Sequence, residues 1–173
     1  MYVIVAVVVV VIIVAGVGIY LSYHPASTPA PSPSPTPVSV ASATSLQFDV
    51  NATASNTTTT LDFAAENIGT SNLTIRIDYP AASLSFVLNY GQQKSWESTH
   101  SGAAGTWTLD PSFATDNSTW GERFTGEVAA LESWNGSGNT YTYTTTSGGV
   151  ATTVLFYDIS VNPTLPASLF QTS

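Results

Sequence analysis

Two kinds of hydrophobic patterning divide this chain. From Met1 to Tyr23 the apolar positions run on without a break: Val3-Ile4-Val5-Ala6, five valines from Val7 to Val11, Ile12-Ile13-Val14, then Ile19 and Leu21, with no charged residue among them. From Ser45 onward they alternate. Leu46, Phe48 and Val50 are separated by polar residues, as are Leu61 and Phe63, and Leu73, Ile75 and Ile77; Leu84, Phe86 and Leu88 keep the same spacing, with Ser85 and Val87 between them. A period of two predicts strands with one buried face. An unbroken apolar run has no polar face and predicts burial on every side.

The first run contains 14 Val, Ile and Leu residues. At roughly 1.5–3 kcal/mol for each side chain, that is on the order of 20–40 kcal/mol in favour of leaving water. Valine favours strand, but a strand of this length far exceeds the usual ~3–10 residues. A helix over Met1–Tyr23 would reach roughly 35 Å, enough to cross a hydrocarbon layer of about 30 Å. The expectation is therefore a long helix. Val3, Val7, Val10, Val14, Gly16 and Gly18 are its candidate helix–helix contacts, the glycines because small residues let backbones approach. Tyr2, Tyr20 and Tyr23 stand near its ends, where amphipathic rings favour an interface.

Six prolines come next within 13 residues, Pro25, Pro29, Pro31, Pro33, Pro35 and Pro37, interleaved with Ala, Ser and Thr. Proline at every second position excludes helix and sheet pairing and favours polyproline II, about 3.1 Å per residue. These residues read as a hinge or stalk that separates the orientation of the C-terminal body from the packing of the apolar segment.

The body carries further strand signals at Gly105–Leu109, at Tyr141 and Tyr143, and from Val150 to Ile159. Only Gly121–Leu131 has helical spacing, through Phe124, Val128 and Leu131. About seven short strands with turns between them predict a β-sandwich. The expected fold is thus α+β: a long N-terminal apolar helix over 1–23, a Pro/Ser/Thr-rich linker over 24–44, and an all-β immunoglobulin-like sandwich head over 45–173.

Charge narrows the function. With three Lys/Arg against 11 Asp/Glu the net charge is −8, which argues against nucleic acid or an anionic lipid surface as partner. Charged residues are only 8% of the chain, so hydroxyls carry much of the solvation. No cysteine is present, so no disulfide framework or thiolate chemistry is available. The body is expected outside the cytoplasm.

Five N-x-[ST] sequons, at Asn51, Asn56, Asn72, Asn117 and Asn135, predict covalent N-linked glycans at several of them. An active site is not expected. Glu122, Glu127 and Glu132 recur every five residues, which spreads them around a helix. His24 and His100 stand alone, without the second ligand a metal site needs. Trp96, Trp107, Trp120 and Trp134 fit packing better than a sugar platform. No cofactor or metal is expected, and no catalysis.

The first Lys or Arg is Arg76, whereas a secretory segment ordinarily carries a basic flank in front of its apolar core. Removal of a basic leader ahead of the apolar segment, as in prepilin processing, accounts for this; the alternative is that Met1 starts a simple membrane anchor. With that segment, and with the strand–turn–strand Leu61-Asp62-Phe63-Ala64-Ala65-Glu66-Asn67-Ile68-Gly69-Thr70-Ser71-Asn72-Leu73-Thr74-Ile75-Arg76-Ile77, the chain resembles archaeal type IV pilins and archaellins over residues 1–23 and roughly 45–80. Bacterial pilins usually carry a glutamate where Val5 stands, which favours the archaeal branch. The resemblance implies a structural subunit of an extracellular adhesion pilus: a helical homopolymer, resident in the membrane before assembly and built by a dedicated machinery. The competing expectations are an archaellin and a monomeric, membrane-anchored surface module on a stalk.

Overall fold

The computed structural model describes residues 38–99, 106–147 and 149–172. The segment 1–23, its packing positions Val3, Val7, Val10, Val14, Gly16 and Gly18, and the hinge prolines Pro25 to Pro37 all lie outside the described residues. Residues 37–173 form one compact unit.

Among the described residues there are eight strands: β1 (Ser45–Ala54), β2 (Thr57–Glu66), β3 (Thr74–Tyr79), β4 (Leu84–Asn89), β5 (Lys94–Ser98), β6 (Trp107–Asp110), β7 (Tyr141–Ser147) and β8 (Val150–Val161). They form a single antiparallel sheet in the order β6-β5-β4-β3-β2-β1-β8-β7. The chain meanders from β1 to β6, crosses over, and returns to add β8 and β7 beside β1. At the β1–β2 hairpin, Ser55 and Asn56 both hold positive φ, 47° and 65°, the geometry a two-residue turn needs to match strand twist.

Between β6 and β7 lies one helical run, α1 (Phe113–Asp116), a π-helical segment (Asn117–Gly121) and α2 (Glu122–Leu131). It packs on the apolar face of the sheet. Pairing sets Phe48 opposite Phe63, Phe63 opposite Ile77 and Ile77 opposite Phe86, so one row of large side chains crosses four strands. Phe124 closes over it, with ring centroids 6.2 Å from Phe48 and 6.0 Å from Phe63. Trp120 stacks on Phe86 at 4.5 Å.

A bulge in β8 keeps the last strand on the same core. The register with β1 shifts between Gln47 and Asp49, and Asp158 takes φ +52°. The extra residue restores Ile159 and Val161 to the face that Val154 and Phe156 already occupy. Val40 and Ala43 are buried as well, so the unit's packing begins before β1.

This architecture corrects the expected fold. The body is not an immunoglobulin-like sandwich: one sheet holds all eight strands of the described residues, and a short amphipathic helix replaces the second sheet. Alternation tells that one face of each strand is buried and leaves open whether a sheet or a helix buries it. Among the described residues no helix is long and apolar enough to cross a membrane, so the long apolar helix has no counterpart in the fold described. Strand β5 lacks the expected signature because its buried residues are Ser95 and Ser98 rather than hydrophobics.

Candidate functional site

The second face of the sheet mixes polar residues with Ala64, Val87, Trp96 and Leu109, and the C-terminal segment crosses part of it. Arg76, on β3, is 2% exposed and donates from Nη1 to the Leu169 carbonyl at 2.8 Å. Its guanidinium pairs with Asp78 through two bonds of 2.9 Å and lies 5.4 Å from the Trp107 ring centroid. Ser85 donates its hydroxyl to the same Asp78 carboxylate.

Beside this pair the register places three aspartates in a row, Asp49 opposite Asp62 and Asp62 opposite Asp78, with Ser85 next across the sheet. Like charges directly opposite one another destabilise a sheet. Arg76 offsets Asp78, while Asp49 and Asp62 have no ion pair among the described residues. Burial pushes the Asp49 carboxyl up to about 6, and the charges of Asp62, Asp158 and Asp78 add to the effect. Asp62 is raised by burial and by Asp78. The three aspartates thus form a patch of like charge on this face of the sheet. Among the described residues, no three His, Cys, Asp or Glu groups are arranged to hold a metal ion.

The five sequon asparagines fall into two kinds. Asn56, Asn72 and Asn135 are exposed on turns, with Asn135 Oδ1 accepting from the Ser137 amide at 2.9 Å. Asn51 lies half-buried in the middle of β1, where its Oδ1 accepts from the Thr60 hydroxyl at 2.7 Å. Asn117 lies half-buried in the π-helical segment, and its Oδ1 accepts from the Tyr90 hydroxyl at 2.6 Å. A sugar on either of these two would have to enter formed structure. The sequon pattern identifies all five alike and carries no information about this difference.

The remaining candidates are scattered. Glu127 is buried on α2, 3.5 Å from Arg123, with Oε2 lacking a hydrogen-bond partner among the described residues. Burial raises its pKa, and the Arg123 charge opposes the rise. Glu122 and Glu132 are exposed, so the three glutamates do not converge. Trp120 packs on the helix side of the sheet, and Trp134, partly buried against the core, donates Nε1 to the Ser137 carbonyl at 3.1 Å. Trp96 and Trp107 are on the adjacent strands β5 and β6, away from that core. The four do not form one platform. His24 and His100 lie outside the described residues.

A groove between the C-terminal segment and the sheet is lined by Glu66, Thr74, Asn89, Trp96 and Phe170. Its lining includes no histidine, cysteine or second acid beside Glu66. Comparison of the chain with models of protein families, with curated proteins and with solved structures finds no match.

Proposed function

We propose that the chain is a structural subunit of an extracellular filament of the archaeal type IV pilus kind, serving surface attachment. The observation that carries this reading is the contrast between residues 1–23, without a charged side chain, and a head whose apolar sheet face is already covered by its own helix. The head does not need the apolar segment to fill its core. That segment therefore requires burial elsewhere, against copies of itself in a filament and in the membrane before assembly. The proline-rich residues 25–37 carry the head outward from that core. Glycans at exposed turns and a surface rich in Ser and Thr solvate the head. Catalysis, cofactors and nucleic acid have no part in this role, and the assembly machinery acts on the chain before it joins the filament.

Electron microscopy of material sheared from the native cell surface tests the reading. Thin filaments whose central density fits residues 1–23, with heads outside, are the expected result. Recovery of the chain only from membranes, as small detergent-solubilised particles, would overturn it in favour of a stalked surface module.

A further inference from the structure

The two edges of the sheet are treated differently. Strand β6 has four residues and runs directly into Pro111 after Asp110, so shortness, charge and proline all guard it. Strand β7 has seven residues, Tyr-Thr-Tyr-Thr-Thr-Thr-Ser, with no charge and no proline. It pairs with β8 in unbroken register from Tyr141 opposite Phe156 to Ser147 opposite Val150, so no bulge twists it away. Its outer side has no strand neighbour among the described residues. Thr142, Thr144, Thr145 and Thr146 are exposed.

Charge indicates what this edge accepts. The chain carries −8, yet residues 135–157 contain no charged side chain. Neither β7 nor β8 as far as Tyr157 adds a charge that would oppose a second copy at this edge. The pattern of β7 also suits itself. Antiparallel pairing centred on Thr144 overlaps all seven residues and keeps Tyr141 and Tyr143 of both copies on one face of the joined sheet. On the other face Thr144 meets its own copy and Thr142 meets Thr146, and cross-strand threonine pairs are favourable. On the tyrosine face, Tyr143 meets Thr145, an aromatic against a β-branched residue.

We infer that β7 is a self-pairing edge, through which two copies of this chain join head to head about a two-fold axis at Thr144 into one continuous sheet of both heads. A seven-residue edge is small beside an ordinary stable interface, so pairing is weak between free copies and strong where copies are held close together. This pairing is independent of the filament reading, since it concerns contacts between heads.

The absence of cysteine makes the test clean. Single variants Thr144→Cys and Thr142→Cys of the full chain, reconstituted at high density in neutral phospholipid vesicles, are oxidised with copper–phenanthroline. A two-fold axis at Thr144 brings two copies of that residue within disulfide reach, while Thr142 faces Thr146. The expected result is dimer formation at least tenfold faster for T144C than for T142C, and rapid dimer formation when T142C is mixed with Thr146→Cys. Adding Thr146→Lys to T144C should slow it at least tenfold with an unchanged far-ultraviolet spectrum. Equal rates for T144C and T142C, or no dimer from T144C, would overturn the proposal. Either failure leaves the filament reading to its own test by microscopy.

Discussion

Replacing Asp49 by asparagine should make the head more stable at neutral pH. Asp49 is half-buried beside Asp62, and its carboxyl is raised from 3.8 to about 6. A raised carboxyl binds its proton more tightly in the folded state than in the unfolded one. Its favourable contribution is therefore fully present below pH 3.8 and is lost as pH rises through about 6. At pH 7.5 the folded chain bears the whole cost of the unpaired anion. The shift corresponds to about 3 kcal/mol, at about 1.36 kcal/mol for each pH unit, and partial solvation of the carboxylate reduces this to about 1 kcal/mol.

All four tryptophans lie in the head, so their fluorescence reports its unfolding without interference from the apolar segment. In urea titrations of the full chain in non-ionic detergent, D49N should raise the midpoint at pH 7.5 by about 0.3–1 M, for a slope of about 1–3 kcal/mol/M. The unsubstituted chain should gain stability from pH 7.5 to pH 5, and D49N should gain less. Asp62, Asp116 and Glu127, raised chiefly by burial, act in the same direction. A head that loses stability over that interval, or a D49N variant no more stable at pH 7.5, would refute the reasoning.

Other substitutions probe the packing. Phe124→Ala removes the ring that closes over Phe48 and Phe63 and should cost about 3–5 kcal/mol in the same titration. Arg76→Ala leaves the Asp78 carboxylate without its cation and should cost about 3–5 kcal/mol, with Arg76→Met/Asp78→Asn recovering a large part of the loss. Gly121→Ala sets a methyl group against Asn117 Oδ1 and the Tyr90 hydroxyl and should lower stability by about 1–3 kcal/mol. Peptide mass spectrometry of native material should find glycans at Asn56, Asn72 and Asn135; Asn51 and Asn117 should be unmodified, and full occupancy of those two would mean that modification precedes folding.

Local regularities in the chain were enough for much of the head. Phe48, Phe63, Ile77 and Phe86 belong to runs with an apolar residue at every second position, and the structure buries all four on one face, because a strand's side-chain period is a property of the backbone alone. The spacing of Phe124, Val128 and Leu131 marked α2 for the same reason, and Phe124 and Leu131 are buried. The helical run begins earlier than that pattern, at Phe113, since its first turns include Thr, Asp, Asn and Ser and rest on the sheet through Phe113 and Trp120.

Long-range pairing decided the rest. Whether eight strands form one sheet or two depends on which edges meet, and hydrophobic period is blind to that. The aspartate row arises only because Asp49, Asp62 and Asp78, well apart in sequence, fall at one level of three neighbouring strands. Two sequons are held inside formed structure by Thr60 and Tyr90, partners that no local motif specifies. The sequence alone determined that residues 1–23 carry no charged side chain and that the head is built of half-buried strands, because side-chain chemistry and side-chain period are local quantities. Tertiary structure decided what covers the strands, which charges face one another and which edge stays open, because these depend on contacts between residues far apart in the chain.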